Sequence, residues 1–228
     1  MRDILDASVF ISSITFRNHE FETLLECCVD IYNDFINSNS KCRNKEELIR
    51  DVFFDSLSND LCRGKISFLQ NYHFEKESQE KTGYLDIKIK TLNPYISTKA
   101  YYCIECKRLG SDSSVYTNDL NTEYVKNGIC RFVEDYYTSY FGCNALFGFI
   151  VNSVVCVQDD IIDDINSKLN KDYKNTQKKI VNARAKECLH YINFAKCYPY
   201  SYISTHHHVS GKELVLYHLM FDFSNNIL

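Results

Sequence analysis

Hydrophobic positions follow a helical period in the first part of the chain. A second helix is predicted over residues 44–57, with Asn44 as its N-cap and Glu47 three residues later in a capping box. The helix before it is predicted over residues 20–36, where apolar side chains recur at spacings of three and four: Phe21, Leu24, Leu25, Cys28, Ile31, Tyr32 and Phe35. The pattern therefore places two helices ahead of the first strand.

A period of two replaces the helical period in the next part of the chain. Alternation of apolar and polar side chains predicts three strands separated by polar turns, over residues 66–74, 83–91 and 100–108. Four further elements are predicted: a helix over 120–137, a strongly apolar strand over 145–157, a charged helix over 160–189 and a last strand over 213–223. This order predicts an α/β fold with a central mixed β-sheet flanked by helices.

The composition is that of an ordinary globular domain. Hydrophobic residues make up 45% and charged residues 25% of the 228 positions, with 7 Gly and 2 Pro, which excludes a collagenous or disordered chain. This length predicts a single domain over residues 1–228. The apolar stretch 145–157 is broken by Asn152 and Ser153, and the N-terminus lacks the pattern of a signal peptide. We therefore expect a cytoplasmic protein without a membrane span.

Cysteine content and net charge change this picture in two ways. The 11 cysteines are odd in number and scattered through apolar segments, so we expect reduced thiols instead of disulfides. The formal net charge of −4 is unfavourable for binding nucleic acid over the whole surface. Any such binding would need a local basic face.

Two neighbouring predicted strands carry acids and a lysine that can meet. Asp86 alternates with Leu85 and Ile87, so it is expected on the opposite face of its strand from these apolar side chains. In the next strand, Glu105 and Lys107 fall on one face. Because a single turn joins the strands, antiparallel pairing would bring both acids and the lysine together.

This combination of side chains suits phosphodiester hydrolysis. Two close carboxylates repel each other unless a cation lies between them, and their hard oxygen atoms suit Mg²⁺ or Mn²⁺. Such an ion activates a water molecule and offsets charge in the transition state, while a lysine stabilises the attacked phosphate. Asp86 and Glu105 are therefore candidate metal ligands, and Asp86, Glu105 and Lys107 are candidate catalytic residues.

The spacing of these residues resembles that of a known family. Asp86, eighteen intervening residues and then Glu105, Cys106 and Lys107 resemble the PD-(D/E)XK motif of restriction-endonuclease-like nucleases, with Leu85 in place of the motif's proline. The resemblance implies a restriction-endonuclease-like core over about residues 44–157, in the order of a helix, a three-stranded meander that carries the motif, a further helix and another strand. The N-terminal helix and a C-terminal helix and strand would then be additions to that core.

The resemblance also implies residues outside the motif. Many members carry a glutamate on the helix before the motif strands, and Glu46 lies near the apolar face of that helix whereas Glu47 points away. Glu46 is therefore expected as a third metal ligand. Lys126 and Arg131, on the helix after the motif, are expected to bind substrate phosphates.

The function implied is metal-dependent cleavage of DNA, with Mg²⁺ or Mn²⁺ as the cofactor. The chain contains no sequence pattern of a DNA-reading module, which argues against a self-sufficient, site-specific restriction enzyme. A nuclease effector or subunit of a bacterial anti-phage defence system is the role that the resemblance favours. DNA is the expected partner, and a protein subunit or a second copy of the chain also fits.

Two other interpretations remain open at the level of sequence. Asp86, Glu105 and Lys107 could form ion pairs on a solvated sheet face. Alternatively, the chain could be a catalytically silent binding or assembly protein that keeps the nuclease fold, with tyrosine-rich interfaces at residues 136–140 and 198–202.

Cysteine and histidine motifs give weaker signals. Cys103 and Cys106 match half of a zinc site, but residues three apart on a strand point to opposite faces. The consecutive residues His206, His207 and His208 are predicted to lie in a polar surface turn. A weaker hypothesis has His206 contacting a substrate phosphate.

Overall fold

The computed structural model describes residues 8–80, 83–93, 96, 100–111, 119–137, 142–175, 177–196 and 198–228. Within these ranges, the chain forms a seven-stranded mixed sheet flanked by helices, which confirms the predicted α/β class. No helix in this part of the chain is long and apolar enough to cross a membrane. The cysteines in these ranges are all free thiols, as expected.

The helices fall into an N-terminal group and a later group. The first contains α1 (Ser8–Asn37), α2 (Glu46–Ser58) and α3 (Asp60–Lys65), followed by a 3₁₀ turn (Ser67–Asn71). In the second, α4 (Leu120–Glu123), a π-helical segment (Tyr124–Ile129) and α5 (Cys130–Val133) follow one another directly, and we call them together the middle helix. A π-helical turn (Gln158–Ile162) leads into α6 (Asp163–Lys168).

The strands of the main sheet are ordered β1-β2-β3-β4-β9-β8-β7. Their bounds, with the separate pair β5 and β6, are β1 Tyr72–Gln79, β2 Tyr84–Thr91, β3 Tyr101–Leu109, β4 Asn144–Ile150, β5 Tyr173–Lys174, β6 Ile180–Val181, β7 Ala185–Tyr191, β8 Ser201–His207 and β9 Glu213–Asp222. Pairing is parallel between β3 and β4 and between β4 and β9, and antiparallel elsewhere. β3 and β4 therefore lie inside the sheet.

Apolar side chains cover both faces of the sheet. Helices α1 and α2 pack on one face, in a core that includes Leu24, Phe53, Ile87, Ile104, Phe147 and Phe221. The middle helix and α6 pack on the other, in a core that includes Cys103, Tyr124, Ile129, Leu146, Ile161 and Met220. Strands covered on both faces are apolar along their whole length, which explains the nearly continuous burial of β3 and β4.

The helix predicted over 120–137 ends at Val133, and three other predicted elements are wrong over much of their length. The segment 66–74 begins as a 3₁₀ turn, in which the Asn71 amide donates to the Phe68 carbonyl, and becomes a strand only at Tyr72. The strand predicted over 145–157 ends at Ile150. The helix predicted over 160–189 ends at Lys168, and the rest forms short strands and β7. Side-chain hydrogen bonds to the backbone, which periodicity does not detect, favour these turns.

Two further predictions fail near helix α2 and strand β8. The N-cap of α2 is Lys45, which makes no side-chain capping bond, so the capping box is wrong. Asn44 instead accepts a hydrogen bond from the Arg108 guanidinium at 2.9 Å. The expected polar turn at the histidines is also wrong, because His206 and His207 end strand β8 and His206 is fully buried.

Candidate active site

Strands β2 and β3 separate at Asp86. Their ladder ends at the pair Ile87 and Ile104. The β1–β2 ladder is interrupted at the same level, where Glu77 lies opposite Asp86 and has a φ of 50°. The Asp86 carboxylate accepts the backbone N–H of Cys106 at 2.8 Å, in place of a ladder bond. This separation makes room for side chains between the two strands.

Because of the irregularity at Asp86, the apolar side chains of β2 do not all lie on one face of the sheet, as the sequence predicted. Leu85 packs into the core under the middle helix, whereas Ile87 and Ile89 pack into the core under α1 and α2. The shared apolar face predicted for these residues is therefore wrong for Leu85. In β3 the predicted alternation holds, because Cys103 and Cys106 lie in opposite cores.

Glu105 is buried and fully bonded. It is 1% exposed, and its carboxylate accepts hydrogen bonds from Tyr137 Oη at 2.9 Å and from Arg131 Nη1 at 3.0 Å. Burial raises the pKa of the Glu105 carboxyl to about 7; Lys107 opposes this rise and Asp86 adds to it. A carboxyl with this pKa sits between its charged and neutral forms near neutral pH, so its charge depends on nearby cations.

The Lys107 ammonium lies where several oxygen atoms converge. Its Nζ atom is 2.9 Å from Glu46 Oε1, 3.0 Å from Glu105 Oε1 and 2.6 Å from the Cys106 carbonyl oxygen. Asp86 Oδ2 lies 4.0 Å away. Burial lowers the pKa of Lys107, but the three carboxylates raise it further, so the net shift is upward and the side chain stays charged.

Glu46 joins the site from helix α2. Its second carboxylate oxygen accepts the backbone N–H of Arg108 at 3.1 Å, so the first turn of α2 is fixed to β3. Glu46 was predicted as a site residue because it lies near the apolar face of its helix. In the structure, that position brings its carboxylate into contact with Lys107. Glu47, on the same turn, is exposed.

Arg50 is a site residue that sequence reasoning missed. Its buried guanidinium lies 3.2 Å from Asp86 Oδ1, 3.1 Å from Glu77 Oε1 and 3.0 Å from Asp51 Oδ1. Arg50 follows Glu46 by four residues, so both lie on one face of α2. That spacing is the signal that could have identified it, because it places a cation beside Asp86.

The middle helix brings the two predicted phosphate-binding residues to different places. Arg131 contacts Glu105, whereas Lys126 lines an adjoining cavity and forms no hydrogen bond or ion pair with the described residues. The helix packs closely on β3 and β4: a Cβ added at Gly128 would lie 2.6 Å from Leu146 Cδ2 on β4 and 3.5 Å from Lys107 Cγ on β3. π-Helical segments such as this one are frequent at functional sites.

We call the assembled group the carboxylate cluster: Glu46, Arg50, Asp86, Glu105, Lys107 and Arg131. Among the described residues, no group of three or more His, Cys, Asp or Glu side chains is arranged to hold a metal ion. The cluster nevertheless has the donor chemistry that a hard divalent cation requires, since carboxylate and carbonyl oxygens already surround one ammonium. Glu46, Asp86 and Glu105 are the side chains that could hold such an ion once Lys107 moves aside.

A second buried polar group lies further along the sheet. His218 is hydrogen-bonded to Tyr124 Oη at 2.8 Å and to Ser204 Oγ at 2.7 Å. Ser204 Oγ also contacts His206 at 2.7 Å, and His206 reaches the Ala183 carbonyl at 2.8 Å. We call this group the histidine chain: Tyr124, Ser204, His206 and His218.

The histidine chain is electrically neutral at neutral pH. Burial lowers the pKa of His206 to about 4, and it lowers the pKa of His218 well below its usual value. Both side chains are fully buried. This burial makes the hypothesis of a phosphate contact by His206 wrong.

Comparisons with known proteins identified no relative of this chain. Against protein-family models, curated proteins and solved structures, no match to the chain was found. The PD-(D/E)XK resemblance of Asp86, Glu105 and Lys107 therefore stays a prediction, and the site itself has to support any function.

Proposed function

We propose that this chain is a metal-dependent phosphodiesterase that cleaves DNA. The observation that carries the proposal is the convergence of Asp86, Glu105 and Lys107 where β2 and β3 separate, with Glu46 added from α2. A solvated ion-pair face does not explain it, because Glu105 is 1% and Lys107 7% exposed. Burying charges at this density is costly, and such sites are more often functional than stabilising.

We also propose that the core has the restriction-endonuclease-like arrangement. Helix α2 precedes the antiparallel strands β1, β2 and β3, and the middle helix then connects β3 to the parallel strand β4. This is the order that the sequence resemblance implies. It supports the proposal through topology alone.

The cofactor in this proposal is Mg²⁺ or Mn²⁺, held by Asp86, Glu105 and Glu46. When bound, the ion polarises the phosphoryl group and lowers the pKa of a water molecule. Lys107, displaced from the carboxylates, donates hydrogen bonds to the scissile phosphate and stabilises charge that develops there. Arg131, at the rim of the cluster, binds the same phosphate or its neighbour.

A cleavage assay tests the proposal. Purified protein is incubated with supercoiled plasmid or single-stranded DNA in Mg²⁺, Mn²⁺ or EDTA, beside the double variant Glu105→Ala, Lys107→Ala. We expect metal-dependent cleavage that falls about a thousandfold or more in the double variant. Glu213→Gln, which changes an exposed acid paired with Lys186, should cleave like the wild type. No cleavage under any metal, with the fold intact, would reject the proposal.

A second function is favoured by the ion pairs themselves. Three carboxylates of the cluster already face three cations, so the group could serve as a fixed network in a catalytically silent binding or assembly protein. The proposed interfaces for such a protein are only partly available. Tyr137, Tyr198 and Tyr202 are buried, and Tyr140 lies outside the described residues.

The biological role is proposed from the resemblance alone. If the chain is an effector or subunit of bacterial anti-phage defence, its expression should reduce phage plating, and Glu105→Ala should abolish the reduction. Equal plating with both forms would contradict the role without affecting the chemistry.

A further inference from the structure

A cavity of about 290 Å³ adjoins the carboxylate cluster. Arg131 and Tyr137, which both bind Glu105, form part of its wall. A ligand in this cavity would therefore lie one side chain away from the carboxylates that we propose hold the metal.

The cavity wall combines aromatic rings with amide groups. Tyr84 and Tyr136 line it, and Tyr84 is 63% exposed although it is a large aromatic side chain. The Asn175 amide donates to Tyr136 Oη at 3.2 Å, and its oxygen accepts backbone N–H groups of the β5–β6 turn, so this wall is held in shape. Asn127 supplies a second amide, whose nitrogen donates one hydrogen bond to Glu123. One exposed tyrosine and one half-buried tyrosine, Tyr84 and Tyr136, beside amide groups suit an unstacked nucleobase.

The available charge in the cavity is positive. Lys126 forms no ion pair within the described part of the chain, whereas the acidic Glu134 is paired with Arg184 at 3.4 Å. Arg131 has further N–H groups beyond the one that contacts Glu105 and Tyr137. The phosphate of a bound nucleotide would therefore have two cations within the cavity wall, Lys126 and Arg131, and Arg131 also contacts the cluster.

We propose that this cavity binds one unpaired nucleotide of the DNA strand that is cut. The base lies among Tyr84, Tyr136 and Asn127, and its phosphate lies on Lys126 and Arg131. This inference rests on the proposed function and specifies its substrate as DNA that is single-stranded near the cut. A paired base would first have to leave its stack to enter the cavity, so intact duplex is a poorer substrate.

Fluorescence anisotropy with labelled oligonucleotides tests the inference. A single-stranded 12-mer and a duplex of the same sequence are titrated with protein in EDTA, which keeps the DNA intact. The variants are Tyr84→Ala, Tyr84→Phe, which keeps the ring, and Tyr191→Ala, which removes another exposed tyrosine (51%) on the distant edge strand β7. Both positions are exposed, and circular dichroism checks the fold of all three variants.

The expected results distinguish a failure of this inference from a failure of the proposed DNA cleavage. Single strands should bind about tenfold tighter than duplex; Tyr84→Ala should weaken single-strand binding about tenfold, whereas Tyr84→Phe and Tyr191→Ala should not. If wild-type protein cleaves DNA but Tyr84→Ala binds single strands equally well, or duplex binds as tightly, the inference is overturned and the function stands. If wild-type protein neither binds nor cleaves DNA, both are overturned.

Discussion

The carboxylate cluster and the histidine chain are two buried polar groups that both contact the middle helix. Arg131 of that helix reaches Glu105 in the cluster, and Tyr124 of the same helix reaches His218 in the chain. The cluster is charged and borders a cavity. The chain is neutral and fully enclosed, and each of its histidines is hydrogen-bonded at both ring nitrogens.

The difference shows what each group contributes. A neutral, satisfied chain connects β8, β9 and the middle helix at little desolvation cost, which is what stability requires. A buried set of opposite charges stabilises no more than well-packed apolar side chains would. The presence of the cluster is therefore better explained by chemistry that needs charge at that place. The predictions below test whether the two groups differ in this way.

The largest effect should come from removing the ammonium of the cluster. Lys107→Met leaves the buried carboxylates without their central cation, so the free energy of unfolding at pH 8 should fall by about 3 to 5 kcal/mol. Mg²⁺ should restore more stability to this variant than it adds to the wild type, because oxygen atoms converge at the vacated position. Urea unfolding with and without Mg²⁺ measures both effects. Lys126→Met, which removes an unpaired lysine, is the control. An equal response to Mg²⁺ in Lys107→Met and wild type would contradict the cation position.

Lowering the pH should change the free energy of unfolding in opposite directions through the two groups. The pKa of His206 is about 4 in the folded protein, below its ordinary value of 6.5, so the unfolded chain binds more protons between these values. The stability present above pH 6.5 is therefore lost as pH falls toward 4, by about 3 kcal/mol. Glu105 acts in the opposite direction, because its pKa of about 7 in the folded protein exceeds its ordinary value of 4.5. In metal-free protein, its contribution to stability grows as pH falls from 7 to 4.5.

Urea unfolding between pH 4 and 8 measures these slopes in EDTA. The pH dependence should flatten in His206→Gln and steepen in Glu105→Gln. His207→Gln changes the exposed neighbour on β8 and should leave the wild-type slope unchanged. The same slope in all three variants would show that neither buried group has a shifted pKa.

Breaking the histidine chain should affect stability without affecting chemistry. Ser204→Ala leaves one ring nitrogen of each histidine without a partner, at a cost of about 2 kcal/mol in the free energy of unfolding. Ser153→Ala, at an exposed loop position, should cost nothing measurable. Thermal unfolding and DNA cleavage by the folded variant are the measurements. A large loss of cleavage in folded Ser204→Ala would mean that the chain takes part in the site.

The smallest effect should come from neutralising Glu46. Glu46→Gln keeps an acceptor for the Arg108 N–H but removes one charge from the proposed metal site. We expect the Mg²⁺ concentration for half-maximal cleavage to rise about tenfold, with less change in the rate at saturating metal. Glu47→Gln, on the exposed side of the same turn, is the matched control. Equal Mg²⁺ dependence in both variants would remove Glu46 from the metal ligands.

The charged cluster was largely predictable from the sequence. Alternation placed Glu105 and Lys107 on one face of β3, and helical spacing brought Glu46 toward them, because both periods follow from backbone geometry. Arg50 was not predicted, since an arginine on an amphipathic helix is usually solvated and its buried partners come from distant strands. Tyr137 was missed because it lies beyond the end of α5, in a segment predicted as helix.

The histidine chain was not predictable in the same way. Ser204, Thr205 and His206 have the polarity of a surface turn, although their strand is buried. Their burial depends on hydrogen bonds to His218 and to the Ala183 carbonyl, which are distant in sequence. A pattern of polarity indicates burial only where side chains are apolar. A buried strand whose polar side chains are all hydrogen-bonded therefore looks like an exposed segment in the sequence.

Metal binding by the cluster is the most direct test of the account. Mn²⁺ is titrated calorimetrically into EDTA-washed wild-type protein, into the double variant Asp86→Asn, Glu105→Gln, and into Glu213→Gln as an exposed-acid control. The account predicts saturable binding by wild type and Glu213→Gln that is lost in the double variant. Equal binding by all three, or no binding by the wild type with or without single-stranded DNA, would contradict a metal-dependent site and favour a fixed ion-pair network.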